Sequence, residues 1–124
     1  MGWVVEFTDE FEAWWDGLDD IAQDAIDRSV DLLGTRGPTL PFLHSSDVRA
    51  SKHRNMRELR VQVSGDPYRI FYAFDPRRAA ILLIGGSKIG DGQFYERMTP
   101  LADRLYDEHL EQLEHEERRE SEET

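Results

Sequence analysis

Between Arg57 and Lys88 the chain reads RELRVQVSGDPYRIFYAFDPRRAAILLIGGSK, and no other stretch constrains the fold as tightly. Leu59, Val61 and Val63, then Tyr68, Ile70, Tyr72 and Phe74, recur at every second position, the period of a strand with one buried face. Ser64 to Pro67 and Asp75 to Arg78 are rich in turn formers, with Pro76 placed to preset φ and Asp75 able to bond the backbone ahead of it. The segment Ala79 to Ile84 is apolar throughout, which predicts a central strand covered on both faces. Three antiparallel strands in succession are therefore expected.

Opposed side chains in paired strands share a face, so alternation predicts which residues meet. With regular turns, Val63 faces Tyr68, Gln62 faces Arg69, Phe74 faces Ala79 and Arg69 faces Ile84. One face then gathers Leu59, Val61, Val63, Tyr68, Ile70, Tyr72, Phe74, Ala79, Ile81 and Leu83 as the core. The other gathers Glu58, Arg60, Gln62, Arg69, Phe71, Ala73, Leu82 and, past Ile84 and Gly86, Lys88. Three cations, Arg60, Arg69 and Lys88, are thus expected on the face away from the main core, provided that no bulge shifts the register.

The flanks predict helices. Trp3 to Phe7 is a short apolar run that can add a strand. Thr8 can cap a helix whose first turn holds Asp9, Glu10 and Glu12, acids that suit the positive end of the helix dipole. Trp14 and Trp15 then read as core. After Gly17 a second helix begins at Asp19 or Asp20, with Gln23 completing a capping box, and carries the stripe Ile21, Ala22, Ala25, Ile26, Val30 and Leu33 until Gly34, Gly37 and Pro38 end it. Residues 39–55 read as a loop bearing Arg49, Lys52 and Arg54 with His44 and His53, whose spacing is not that of a metal site. Phe94, Tyr95 and Met98 begin a last helical stretch, with Thr99 and Pro100 as cap and first position, that carries Leu101, Leu105 and Leu110 to Leu113. The expected class is α+β: a small antiparallel sheet, an N-terminal helical hairpin on one face and a C-terminal helix. Residues 1–113 form one domain, and the acidic residues 114–124 are expected to be a disordered tail that confers solubility or, alternatively, an arm that folds over the basic face.

Cysteine is absent, which removes disulfides, thiolate metal sites and a cysteine nucleophile. No apolar run approaches the roughly 20 residues of a membrane span, so a cytoplasmic protein with no membrane partner is expected. The net charge of −11 hides a contrast: residues 48–106 carry eleven bases against six acids, between acidic flanks. A local basic field can hold phosphate within an acidic frame.

The segments SKHRNMRELR, YRIFYAFDPRR, ILLIGGSK and FYERMTPLADRLYDEHL, in that order and spacing, resemble the HigB-like, phage-derived branch of the RelE/ParE toxin superfamily. The resemblance covers nearly the whole chain and is most specific from Asn55 to Leu110. It implies a RelE/ParE-like fold and the toxin of a type II toxin–antitoxin system: typically a metal-independent endoribonuclease that cuts mRNA on the translating ribosome. Its cognate antitoxin, a helix-turn-helix protein, holds it inactive, and no cofactor is implied. Arg60, Arg69 and Lys88 match the family's basic signature. RNA cleavage needs phosphate clamps, for which Arg60 and Arg69 suit, and Lys88 serves as a second charge donor or as acid or base. Glu58 and His53 are the remaining general-base candidates, and Lys52, Arg54 and Arg57 are candidate RNA-binding residues. Tyr95, Tyr106 and His109 are further candidates by type. The superfamily also leaves open a ParE-like toxin acting on DNA gyrase, or an inactive module that only binds antitoxin.

Overall fold

A computed structural model describes residues 2–123. Strand β1 (Val5–Phe7) leads into helices α1 (Asp9–Asp16) and α2 (Asp20–Arg36), a 3₁₀ turn (Gly37–Thr39), strands β2 (Ser45–Asp47), β3 (Arg57–Val63), β4 (Asp66–Phe74) and β5 (Ala80–Ser87), and helix α3 (Phe94–Glu123). The five strands form one sheet in the order β1-β5-β4-β3-β2. It is mixed rather than wholly antiparallel, because β1 pairs with β5 in parallel. Two helices on one face and α3 on the other give the α+β architecture three layers.

Local chemistry fixes the helix starts. Thr8 caps α1, its hydroxyl accepting from the Phe11 N–H at 3.0 Å. Asp19, not Asp20, caps α2 through the Ala22 N–H, and the Gln23 amide instead donates to the Trp15 carbonyl. Phe11, Ile26 and Leu33 pack on Leu59, Val61, Val63, Ile70 and Tyr72. Trp14 lies across Gly85 so closely that a Cβ there would fall 2.3 Å from its ring, and both tryptophans belong to this core as expected.

The β3–β4 hairpin turns on Ser64 and Gly65 alone, both at positive φ, so Val63 pairs with Asp66 and Arg60 with Arg69. The register thus slips by two residues from the expected one, which leaves every side chain on its predicted face. Across β4–β5, Phe74 pairs with Ala80 rather than Ala79, a slip of one. Ala80 and Leu82 therefore enter the α1/α2 core, while Ala79, Ile81 and Leu83 go to the opposite face, the reverse of the expectation. A bulge at Leu83 restores parity, so that Phe71 meets Ile84 and Arg69 meets Gly86. Thr8 stabilises the bulge by donating its hydroxyl to the Leu83 carbonyl at 2.7 Å.

The second face is not open. Phe71, Ala73, Ile81 and Leu83 pack under Phe94, Met98, Ala102, Leu105 and Tyr106 of α3. The helix begins five residues before Thr99 and takes Pro100 into its body. It also runs on to Glu123, with Thr124 outside the described residues, so residues 114–123, expected as a tail, continue the helix. Their direction excludes a fold-back over the basic face: Glu114 lies nineteen residues beyond Tyr95, about 28 Å along the axis. No helix among the described residues is long and apolar enough to cross a membrane.

Candidate active site

Where α3 begins, its first turn leaves part of the sheet's second face to charged groups. Arg60 and Arg69 stand opposite each other on β3 and β4, and Glu58 follows two positions along β3 on the same face. The Lys88 N–H donates to the Pro67 carbonyl at 2.8 Å, which extends the β4–β5 ladder and brings Lys88 beside Arg69. Gly86, opposite Arg69, admits Phe94 to the sheet, since a Cβ would meet its ring at 3.0 Å. That contact sets Tyr95 above the charges.

Glu58 is the hub. Its Oε1 accepts from the Tyr95 hydroxyl at 2.7 Å and from the Ser46 hydroxyl at 3.3 Å, and lies 3.3 Å from Arg69 Nε and 3.9 Å from Arg60 Nη1. Its Oε2 is buried and has no partner within the protein. Arg69 is buried too, 5% exposed, with Nη1 donating to the Tyr68 carbonyl. Arg60 differs, with a third of its side chain open to solvent. Lys88 Nζ sits 4.9 Å from the centroid of the Tyr95 ring.

The field in this cluster follows from its membership. Burial, then the charge of Arg69, push the Lys88 ammonium below its ordinary value despite the counter-pull of Glu58. Burial, then the bond to Glu58, push the Tyr95 phenol up to about 12, so it remains a donor at neutral pH. Three cations around one carboxylate leave the pocket electropositive, a setting for an anion.

The cluster opens into a cleft of about 590 Å³ walled by Glu58, Arg60 and Tyr95, with Phe42, Arg49 and Arg57 at its sides. A second groove, of about 480 Å³, runs between the start of α1 and the far half of α3. Glu6, Asp9, Glu10, Glu108 and Glu116 line it, and such a surface repels polyanions.

The sequence-predicted residues divide accordingly. Glu58, Arg60, Arg69 and Lys88 come together, although Arg69 lies beneath the surface as a partner of Glu58 rather than as an exposed clamp. Arg57 donates to Ser45 and pairs with Asp47 at the cleft's rim. His53 is not brought in. Its Nε2 lies 2.8 Å from Asp107, twelve residues along α3 from Tyr95, about 18 Å away. Lys52 pairs with the same carboxylate, and the Ser51 hydroxyl and Lys52 N–H bond Asp103. These bonds clamp the loop after β2 onto α3. Arg54 is exposed on that loop. Tyr106 and His109 also serve the scaffold: the Tyr106 hydroxyl donates to the Phe74 carbonyl and His109 meets the buried Asp75. Tyr95 stood among several candidates by type and is the one that joins the cluster. Ser46 and Phe42 carried no signal in the sequence, because only the pairing of β2 with β3 brings them beside Glu58 and Arg60.

The family model described as phage derived protein Gp49-like matches residues 13–107. Two proteins of Mycobacterium tuberculosis named as candidate toxins are similar to the chain. HigB2 is 37% identical over 92% of the chain and 57% of its own length. HigB3 is 40% identical over 77% of the chain and 82% of its own length. The chain thus spans little more than half of the first relative. Among solved structures, the free state of an arginine-substituted mutant of the E. coli toxin RelE superposes with a TM-score of 0.55 at 11% identity, over 79% of this chain and 96% of that one, a likeness of fold.

Proposed function

Because the chain belongs to the phage-derived Gp49-like family, on the HigB-like branch of the RelE/ParE superfamily, we propose that it is the toxin of a toxin–antitoxin pair and a metal-independent endoribonuclease. It acts in the cytoplasm on mRNA at the ribosome, and a cognate antitoxin, probed first as a helix-turn-helix protein, restrains it. The observation that carries this reading is the cluster of Arg60, Arg69 and Lys88 around Glu58, of which Glu58 and Arg60 line a nucleotide-sized cleft.

The roles follow from the atoms. Glu58, the carboxylate that lines the cleft and is held by Tyr95 and Ser46, takes the proton of a ribose 2′-hydroxyl. The 2′-oxygen attacks the adjacent phosphorus in line, forming the O2′–P bond as the P–O5′ bond breaks. Arg60, the accessible guanidinium, grips two non-bridging oxygens as charge builds on them. Lys88, an ammonium made more acidic by burial and by Arg69, gives its proton to the departing 5′-oxygen. The products are a 2′,3′-cyclic phosphate and a 5′-hydroxyl. Arg69 acts through Glu58 and Lys88 and is a positioning residue.

The test is induced expression of the wild type, Arg60→Ala and Glu58→Gln without the antitoxin, following growth and pulse-labelled protein and DNA synthesis. Expected is arrest by the wild type alone, with protein synthesis falling first and cuts mapping to mRNA. A fall in DNA synthesis first would transfer the protein to the gyrase-directed class. Soluble, folded wild type that arrests nothing would leave only an antitoxin-binding module.

A further inference from the structure

We propose that Phe42 and Arg60 form a stacking seat for one unpaired nucleobase beside the phosphate that Arg60 grips; this rests on the ribonuclease reading. Phe42 is 69% exposed on the turn before β2, where a ring that size gains little from the core. The Arg60 guanidinium lies over the ring at 5.4 Å from its centroid. Phe42 is thus held against a cation while most of its ring stays exposed where it lines the cleft.

Chemistry selects the occupant. A base stacks on an aromatic face whatever its identity, and its own phosphate is then delivered to the guanidinium behind the ring. Arg49 and Arg57 line the same cleft, and its two carboxylates are both engaged, Asp47 by Arg57 and Glu58 by Arg69 and Arg60. About 590 Å³ accommodates a nucleotide within the usual range of ligand clefts. A protein partner seated on an exposed phenylalanine would use the apolar ring but would have no need of the cations around it. Single-stranded RNA uses both.

The probe is a fluorescein-labelled 2′-O-methyl tetranucleotide, which lacks the nucleophile and is not cut, beside an abasic chain of equal length; anisotropy is read at low salt. Phe42→Ala is expected to weaken the tetranucleotide roughly 5- to 100-fold and leave the abasic chain unchanged. Phe42→Tyr, which keeps the ring, is expected to bind like the wild type. The seat is overturned if the wild type does not bind the tetranucleotide, if it binds both chains alike, or if Phe42→Ala binds as well as the wild type. It is equally overturned if Phe42→Ala loses affinity only for the antitoxin, which would make the ring a protein contact. Growth arrest that survives in Phe42→Ala but not in Arg60→Ala would defeat the seat and leave the ribonuclease standing; no arrest by the wild type would defeat the ribonuclease itself.

Discussion

Arg60 and Arg69 face each other directly across the β3–β4 ladder, an arrangement of like charges that is tolerable only because Glu58 lies between their guanidinium groups. The two arginines are unequal. Arg69 is sealed against Glu58, whereas Arg60 reaches the cleft. Removing either member of the buried pair strands the other, so Arg69→Ala and Glu58→Ala are each expected to cost about 3–5 kcal/mol. Arg60→Ala relieves repulsion and is expected to change stability by less than about 1 kcal/mol. Urea unfolding of the three variants checks this; a stable Arg69→Ala would mean that Glu58 is not the counter-charge. It follows that loss of toxicity in Arg69→Ala says little about chemistry, and Arg60→Ala is the cleaner probe.

Tyr95 offers an optical check on the site. Its folded value of about 12 lies above the ordinary 10.0, so its protonated form is favoured by the fold. The associated stability is full below pH 10 and is lost as the pH rises through about 12. Tyr95 is expected to ionise near 12 in an absorbance titration, and Tyr95→Phe is expected to remove that contribution. The same variant leaves Glu58 short of a donor and is expected to lose about 1–3 kcal/mol at pH 7, with the deficit shrinking above pH 10.

Far from the cleft, Asp75 joins the β4–β5 turn to α3. Burial would raise its pKa, but the bonds from His109, Arg77 and the Ala79 N–H outweigh burial and hold the carboxylate below its ordinary 3.8. The sign is that of a depressed acid: stability is fully present above pH 3.8 and is lost as pH falls through the lower folded value. Asp75→Ala is expected to cost about 2–4 kcal/mol at pH 7. The difference from the wild type should narrow below pH 3.8, and a gap constant to pH 2 would contradict the network.

The legible part of this protein is the part written in alternation. Leu59, Val61 and Val63 with Ile70 and Tyr72 announce one core face, and a hairpin slip of two residues could not disturb it. The bulge at Leu83 has no sequence mark, because within AILLIG any residue can be the extra one. Ala79, Ile81 and Leu83 change face earlier, at the turn that pairs Phe74 with Ala80 rather than Ala79, and that turn is equally unmarked. Phe71 and Ala73 carried a signal that alternation alone underweights: IFYAF is apolar at every position, and a strand so built is covered on both sides. Lys88 fell on the right face because two irregularities cancel. His53 is a general-base candidate by residue type alone, and its distant partner Asp107, 54 residues away, cannot be read from spacing.

Lys88 joins stability to function in a single side chain. Burial and Arg69 make its ammonium less favourable in the folded protein than in the unfolded chain, so its pKa falls below 10.5. The sign is opposite to that of a paired lysine: the charge opposes folding at neutral pH, and the penalty disappears as pH rises through the folded value towards 10.5. Lys88→Met keeps the aliphatic stem against Tyr95 and removes the charge. It is therefore expected to raise the urea midpoint at pH 7, with the gain over the wild type fading above the folded value. If Lys88 is the acid for the 5′-oxygen, the same variant should abolish growth arrest while Lys88→Arg, which cannot give up its proton at neutral pH, restores binding but not cleavage. A more stable protein without toxicity fits a residue retained for catalysis at the expense of the fold. A less stable Lys88→Met would instead make Lys88 a structural counter-charge to Glu58, and the acid would have to be sought elsewhere.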